Sequence, residues 1–209
     1  MKTVHSRRLL SVLGAILIGG ASAVAGALAG AVAGASILPL SIGDGRAEIE
    51  QALRADRYQE VEWIAADAPQ ALRRGLIATG LLETLNRFGL APKDAGGRLD
   101  AGAFTVVVRA QRSGRRLTLA LSGSKVRAML LSLAVPVDAS ADPPGGWSPA
   151  RLAPLRRALD ELSPYRLEPL EKDARGNVFA WKGRRGGEEV RALYLPERDE
   201  LRVLVIRGG

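Results

Sequence analysis

From residue 9 to residue 43 the chain carries no charged side chain, and Lys2, Arg7 and Arg8 stand just before that run. About 20 apolar residues span the hydrocarbon core of a bilayer, so the run is long enough for a membrane helix. The basic flank then stays in the cytoplasm, which places everything after Asp44 outside it. A removed export signal fits the same residues. Ser6-Arg7-Arg8-Leu9-Leu10 resembles a partial twin-arginine export motif, and small–x–small cleavage patterns occur at Ala21-Ser22-Ala23 and Ala33-Gly34-Ala35. Both readings export the remainder, and the anchor is the preferred one. Gly26, Gly30 and Gly34 fall on one helical row. That spacing lets two membrane helices approach closely, which makes a homo-oligomer an expectation.

Beyond Asp44 the apolar period changes several times. Asp44-Gly45 predicts the cap of a helix beginning near Arg46, with Ile49, Leu53, Val61 and Ile64 as its apolar face and Asp56-Arg57 as the place where it would break. Pro69 predicts a restart, and Leu72, Leu76, Leu81, Leu85 and Phe88 mark the next helix, with Gly89 as its stop. Alternation at Phe104, Val106 and Val108, and again at Leu117, Leu119 and Leu121, predicts a hairpin turning at Arg112-Ser113-Gly114-Arg115. Val126, Met129, Leu130 and Leu133 sit at helical spacing behind Ser124 and predict a further helix.

The Pro/Gly-rich stretch around Pro143-Pro144-Gly145-Gly146 is the internal boundary. Four regions follow: a membrane anchor or export signal over 1–43, helices plus a hairpin over 44–135, a linker over 136–148, and a helix plus strands over 149–209. In the last region Pro154 starts a short helix through Leu155, Leu159 and Leu162. Strands are predicted at Tyr165–Leu170, Val178–Lys182, Val190–Leu195 and Leu201–Arg207. Short turns between them favour an antiparallel meander, with the nearly all-apolar last strand in a central place. The fold class is therefore α+β.

A candidate duplication runs through it. Ala68–Leu76 echoes Ala153–Leu159, and hairpins opening at Phe104 and Phe179 follow in each half.

Composition narrows the chemistry. The 209 residues contain no cysteine and one histidine, His5, which removes disulfides, thiol nucleophiles and Cys/His metal sites. No metal or cofactor is expected. Three charges of the formal +8 belong to Lys2, Arg7 and Arg8, so the exported part is only mildly basic. Ser122-Gly123-Ser124-Lys125 matches S-x-x-K, the nucleophile pattern of penicillin-recognising enzymes, but no S-D-N or K-T-G companion accompanies it. Glu48, Glu50, Asp56, Glu60, Glu62 and Asp67 are interleaved with arginines, as intrahelical ion pairs require.

The distinctive cations are the doublets Arg115-Arg116 and Arg184-Arg185 at the two hairpin tips, flanked by Arg112 and Lys182. Such tips suit phosphate or carboxylate groups of lipid headgroups or acidic glycans. Nine aromatics spread along the chain give no evident stacking platform for nucleic acid. Trp147 is expected to pin the linker to a core. The resulting expectation is a non-catalytic, membrane-tethered or exported envelope protein that acts as a scaffold, assembly or binding factor. Its partners would be membrane lipids and envelope proteins. Binding of anionic headgroups or acidic glycans through the basic tips, and a small Ser/Lys hydrolase, are the alternatives.

Overall fold

The computed structural model describes residues 40–65, 69–93, 95, 100–135 and 147–208. The row Gly26, Gly30, Gly34, the membrane or signal run and most of the 136–148 linker lie outside them. No described helix is long and apolar enough to cross a membrane. The described chain is α+β, with helices α1 (Arg46–Ala55), α2 (Pro69–Ala78), α3 (Leu81–Arg87) and α4 (Pro149–Asp160). One antiparallel sheet holds β1 (Gln59–Ala65), β2 (Val106–Arg112), β3 (Arg115–Ser122), β4 (Lys125–Ala134), β5 (Glu168–Lys172), β6 (Val178–Arg185), β7 (Glu188–Leu195) and β8 (Glu200–Arg207). Its strand order is β1-β2-β3-β4-β8-β7-β6-β5.

Two four-stranded meanders thus meet at an antiparallel β4–β8 seam, where Leu131 lies opposite Val203. Each meander follows one helix, and α1 and α4 pack on the same face. Ile49 and Leu53 share one core with Leu155, Leu117, Met129 and Val203. On the opposite face α2 and α3 bury Leu72, Leu76 and Leu85 against Val107, Leu130 and Leu204.

The helix–meander unit occurs twice, but the helices correspond differently from the sequence echo. The counterpart of α4 is α1. Helices α2 and α3 are an insertion between β1 and β2, where the second half has only the turn 173–177 between β5 and β6. The paired hairpins β2–β3 and β6–β7 do match the sequence reading.

Five further expectations are corrected. Residues Val126 to Leu133 form strand β4, entered from β3 through a two-residue turn at Gly123 (φ 60°) and Ser124. Both faces of β4 are covered, and Ala128, Leu131 and Ser132 are buried along with the four apolar residues at helical spacing. A strand covered on both sides loses its alternation, so the helical spacing was fortuitous.

Val61 and Ile64 belong to β1, because α1 ends at Ala55 with Asp56 as its cap and Arg57 turns left-handed at φ 55°. Gly80, at φ 74°, divides the second helix into α2 and α3. Helix α4 begins at Pro149, capped by Ser148, whose Oγ accepts from the Arg151 N–H at 3.3 Å, and contains Pro154 within it. The expected strand from Tyr165 starts only at Glu168, since Ser163–Tyr165 is a 3-10 turn. Trp147 pins its segment to the core, edge-on to Tyr194 at 5.4 Å.

Candidate functional site

A twofold relation normal to an antiparallel sheet reverses strand direction, so equivalent hairpins emerge at opposite ends. The two arginine doublets obey this. Arg115 lies opposite Leu133, which lies opposite Leu201 on β8, whereas Arg184 lies opposite Glu189 and, through it, Ile206. At about 3.3 Å per residue, the two levels on β8 are roughly 17 Å apart. The structure does not bring the six basic candidates together.

The first group is used internally. Arg112 donates to the Asp56 carbonyl at 2.8 Å and stacks over Tyr58 with its guanidinium 5.2 Å from the ring centre. Arg115 pairs with Glu161 at 3.8 Å, and Arg116 with Glu200 at 3.0 Å. Their hairpin borders a recess of about 430 Å³ whose other wall carries Arg198, Asp199 and Glu60. These arginines fasten α4, the α1–β1 turn and β8 to the sheet end.

The second group is more available. Arg184 pairs with Glu189 at 3.0 Å, while Lys182 and Arg185 are exposed and make no ion pair among the described residues. The same end carries exposed Lys125, Arg127 and Arg207. It is also where the chain enters the fold: Gly43 donates to the Val126 carbonyl at 2.9 Å, and the Ile42 N–H to Glu188 Oε1 at 2.8 Å. The carboxylates there are already engaged. Asp44 accepts from Ser41, Glu48 from Gly45, Glu188 from Ile42 and Tyr165, and Glu189 from Arg184.

Tyr165 donates to Glu188 Oε2 at 3.2 Å. Burial first, and then the Glu188 carboxylate, push the phenol pKa up to about 12. The folded state therefore holds this proton more tightly than the unfolded chain, in which a tyrosine titrates near 10. The resulting stability is present below pH ~10 and lost as pH rises towards ~12, by at most about 2–3 kcal/mol. Urea midpoints measured between pH 9 and 12 should fall in the native protein, and Tyr165→Phe should flatten that fall.

Sequence reasoning missed Arg166 and Arg191, which line a second recess together with Lys182 and Arg184. Their only signal was placement within the predicted strands Tyr165–Leu170 and Val190–Leu195. The S-x-x-K residues are set differently from the motif's chemistry. Ser122 and Lys125 pair across the two-residue β-turn instead of lying one helical turn apart. Among the carboxylates, Arg46–Glu50 is an intrahelical pair at 2.8 Å, but Glu62 reaches across strands to Arg109. No family model matches the chain, and no curated protein or solved structure matches it.

Proposed function

We propose that this is a non-catalytic envelope protein, tethered by its N-terminal apolar run, whose folded unit lies outside the cytoplasm and serves as a binding or assembly factor at the membrane. One observation supports the headgroup-facing version of this reading over a purely protein-binding scaffold. The exposed cations Lys125, Arg127, Arg184, Arg185 and Arg207 gather at the end of the sheet to which Ile42 and Gly43 are tied. A tether leading from residue 40 into a bilayer would hold this end nearest the lipid surface. Each basic residue close to an anionic leaflet contributes about 1 kcal/mol, and the attraction decays over a Debye length of about 8 Å.

The hairpin at Arg112, Arg115 and Arg116 points the other way, so headgroup binding falls to the second hairpin. Exposed large apolar residues are few among those described (Val61, Ile77 and Leu170), and they offer a scaffold partner little continuous apolar surface.

The test is a pair of fusions of the full chain at its C-terminus, one to a reporter active only outside the cytoplasm and one to a reporter active only inside it. Activity of the first, with retention in the membrane pellet after a carbonate wash, is the expected result. Activity of the cytoplasmic reporter alone would overturn the proposal.

A further inference from the structure

We propose that the recess lined by Arg166, Lys182, Arg184 and Arg191 is a binding site for a single phosphate-type anion, of the kind a lipid headgroup carries. The inference deepens the reading of a basic, membrane-facing end and rests on it for the source of the ligand. The recess has a volume of about 550 Å³, and the connection between β5 and β6 leaves it open. In the first half the α2–α3 insertion covers this face of the sheet, whereas the short 173–177 turn leaves β5 to β7 without a covering helix.

Cross-strand register sets the cations side by side. Lys182 lies opposite Arg191, and Arg184 opposite Glu189. Glu189 is buried and pairs with both the mostly buried Arg191 and the exposed Arg184, so one carboxylate holds two guanidinium groups. Two buried atoms of the lining have no hydrogen-bond partner, the donor Arg191 Nε and the acceptor Glu189 Oε1, and an anion would satisfy the donor. Glu168, opposite Lys182 on the edge strand, is the second carboxylate of the lining. Four cations against two carboxylates leave an excess that suits one phosphodiester or phosphomonoester group.

The wall is built with strain and close approach. Arg166 sits at φ 52°, a left-handed conformation that glycine adopts freely and arginine does not. Gly183 has no room for a side chain, since a Cβ there would lie 2.4 Å from the Tyr165 carbonyl oxygen. The 3-10 turn is thereby pressed onto β6, and Arg166 is carried to the rim.

The experiment uses the full chain purified in a neutral detergent and titrated by calorimetry with three probes: dihexanoyl phosphatidylglycerol, dihexanoyl phosphatidylcholine and inorganic phosphate. Binding of phosphatidylglycerol but not phosphatidylcholine is expected. Simultaneous binding of inorganic phosphate would support the site with a free phosphate as the alternative source. Lys182→Ala and Arg166→Gly should each weaken binding about tenfold, the loss of one charge-assisted hydrogen bond. Arg166→Gly should do so without lowering the thermal midpoint of the unliganded protein, because glycine relieves the φ 52° conformation.

Glu168→Gln should tighten binding, and Arg115→Ser at the opposite end should leave it unchanged. Failure of all three probes to bind, or binding indifferent to both Arg166→Gly and Lys182→Ala, would overturn the proposal. The measurement is made on purified protein. A failed reporter experiment with intact binding would therefore remove the envelope location and keep the anion site.

Discussion

Arg202→Ala should destabilise the folded unit by about 3–5 kcal/mol, the loss typical of a buried ion pair from which one partner is removed. The Arg202 side chain is 4% exposed and lies between α3 and the sheet. Its Nη1 donates to Glu83 at 2.7 Å and its Nε to Glu200 at 3.3 Å. Gly80 packs flat on the guanidinium, where a Cβ would lie 2.9 Å from the Arg202 Cζ, so the helix boundary itself is shaped around this arginine. Truncation leaves the mostly buried Glu200 carboxylate with Arg116 as its remaining ion-pair partner among the described residues. Arg202→Met combined with Glu200→Gln should recover much of the loss, since it removes both charges together.

The Arg202 guanidinium also holds the Glu83 carboxyl below its ordinary value. That part of the stability is present above pH ~4.5 and fades as pH falls through the lowered folded value. Denaturant unfolding of the two variants across pH 3–7 reads both effects. An Arg202→Ala midpoint indistinguishable from wild type would show that the network contributes nothing.

Leu131→Ala should cost about 3 kcal/mol, within the range for a leucine deleted from a packed core. Leu131 is fully buried in β4 and faces the α1/α4 side, opposite Val203 across the seam. Because the core on that face draws on both helices and both meanders, unfolding of the variant should remain one transition detected equally at Trp63 and Trp181. Two separated transitions would mean that the meanders are independent folding units.

Much of the architecture was legible because it is carried by local signals. The β2–β3 turn reads directly from Ser113-Gly114, where Gly114 takes φ 68°, and the short turns between the C-terminal strands are enough to predict the meander. Helix α1 was found from its Gly45 start and its break at Asp56-Arg57, but the strand that follows was not, because Arg57 and Glu60 hold left-handed conformations that no glycine announces. Strand β4 was misread for a different reason. Its residues satisfy a helical period by accident, and only burial on both faces distinguishes it. The anion recess was half legible: Lys182 and Arg184 stood out as hairpin charges, while Arg166 and Arg191 became neighbours only through the 3-10 turn and the β6–β7 register.

The sequence by itself determined the α+β class, the apolar run preceded by a basic flank, and the exclusion of cysteine and Cys/His chemistry, since each depends on composition or spacing within a short window. The order of the sheet and the joining of two meanders at β4–β8 were decided by tertiary structure. So was the placement of the arginine doublets at opposite ends. Strand neighbours distant in sequence are selected by which apolar faces bury one another, and that choice leaves no local mark. The twofold relation it produces separates two motifs that look alike in the sequence. One is bound up in ion pairs with Glu161 and Glu200, and the other stands beside the point where the chain enters the fold.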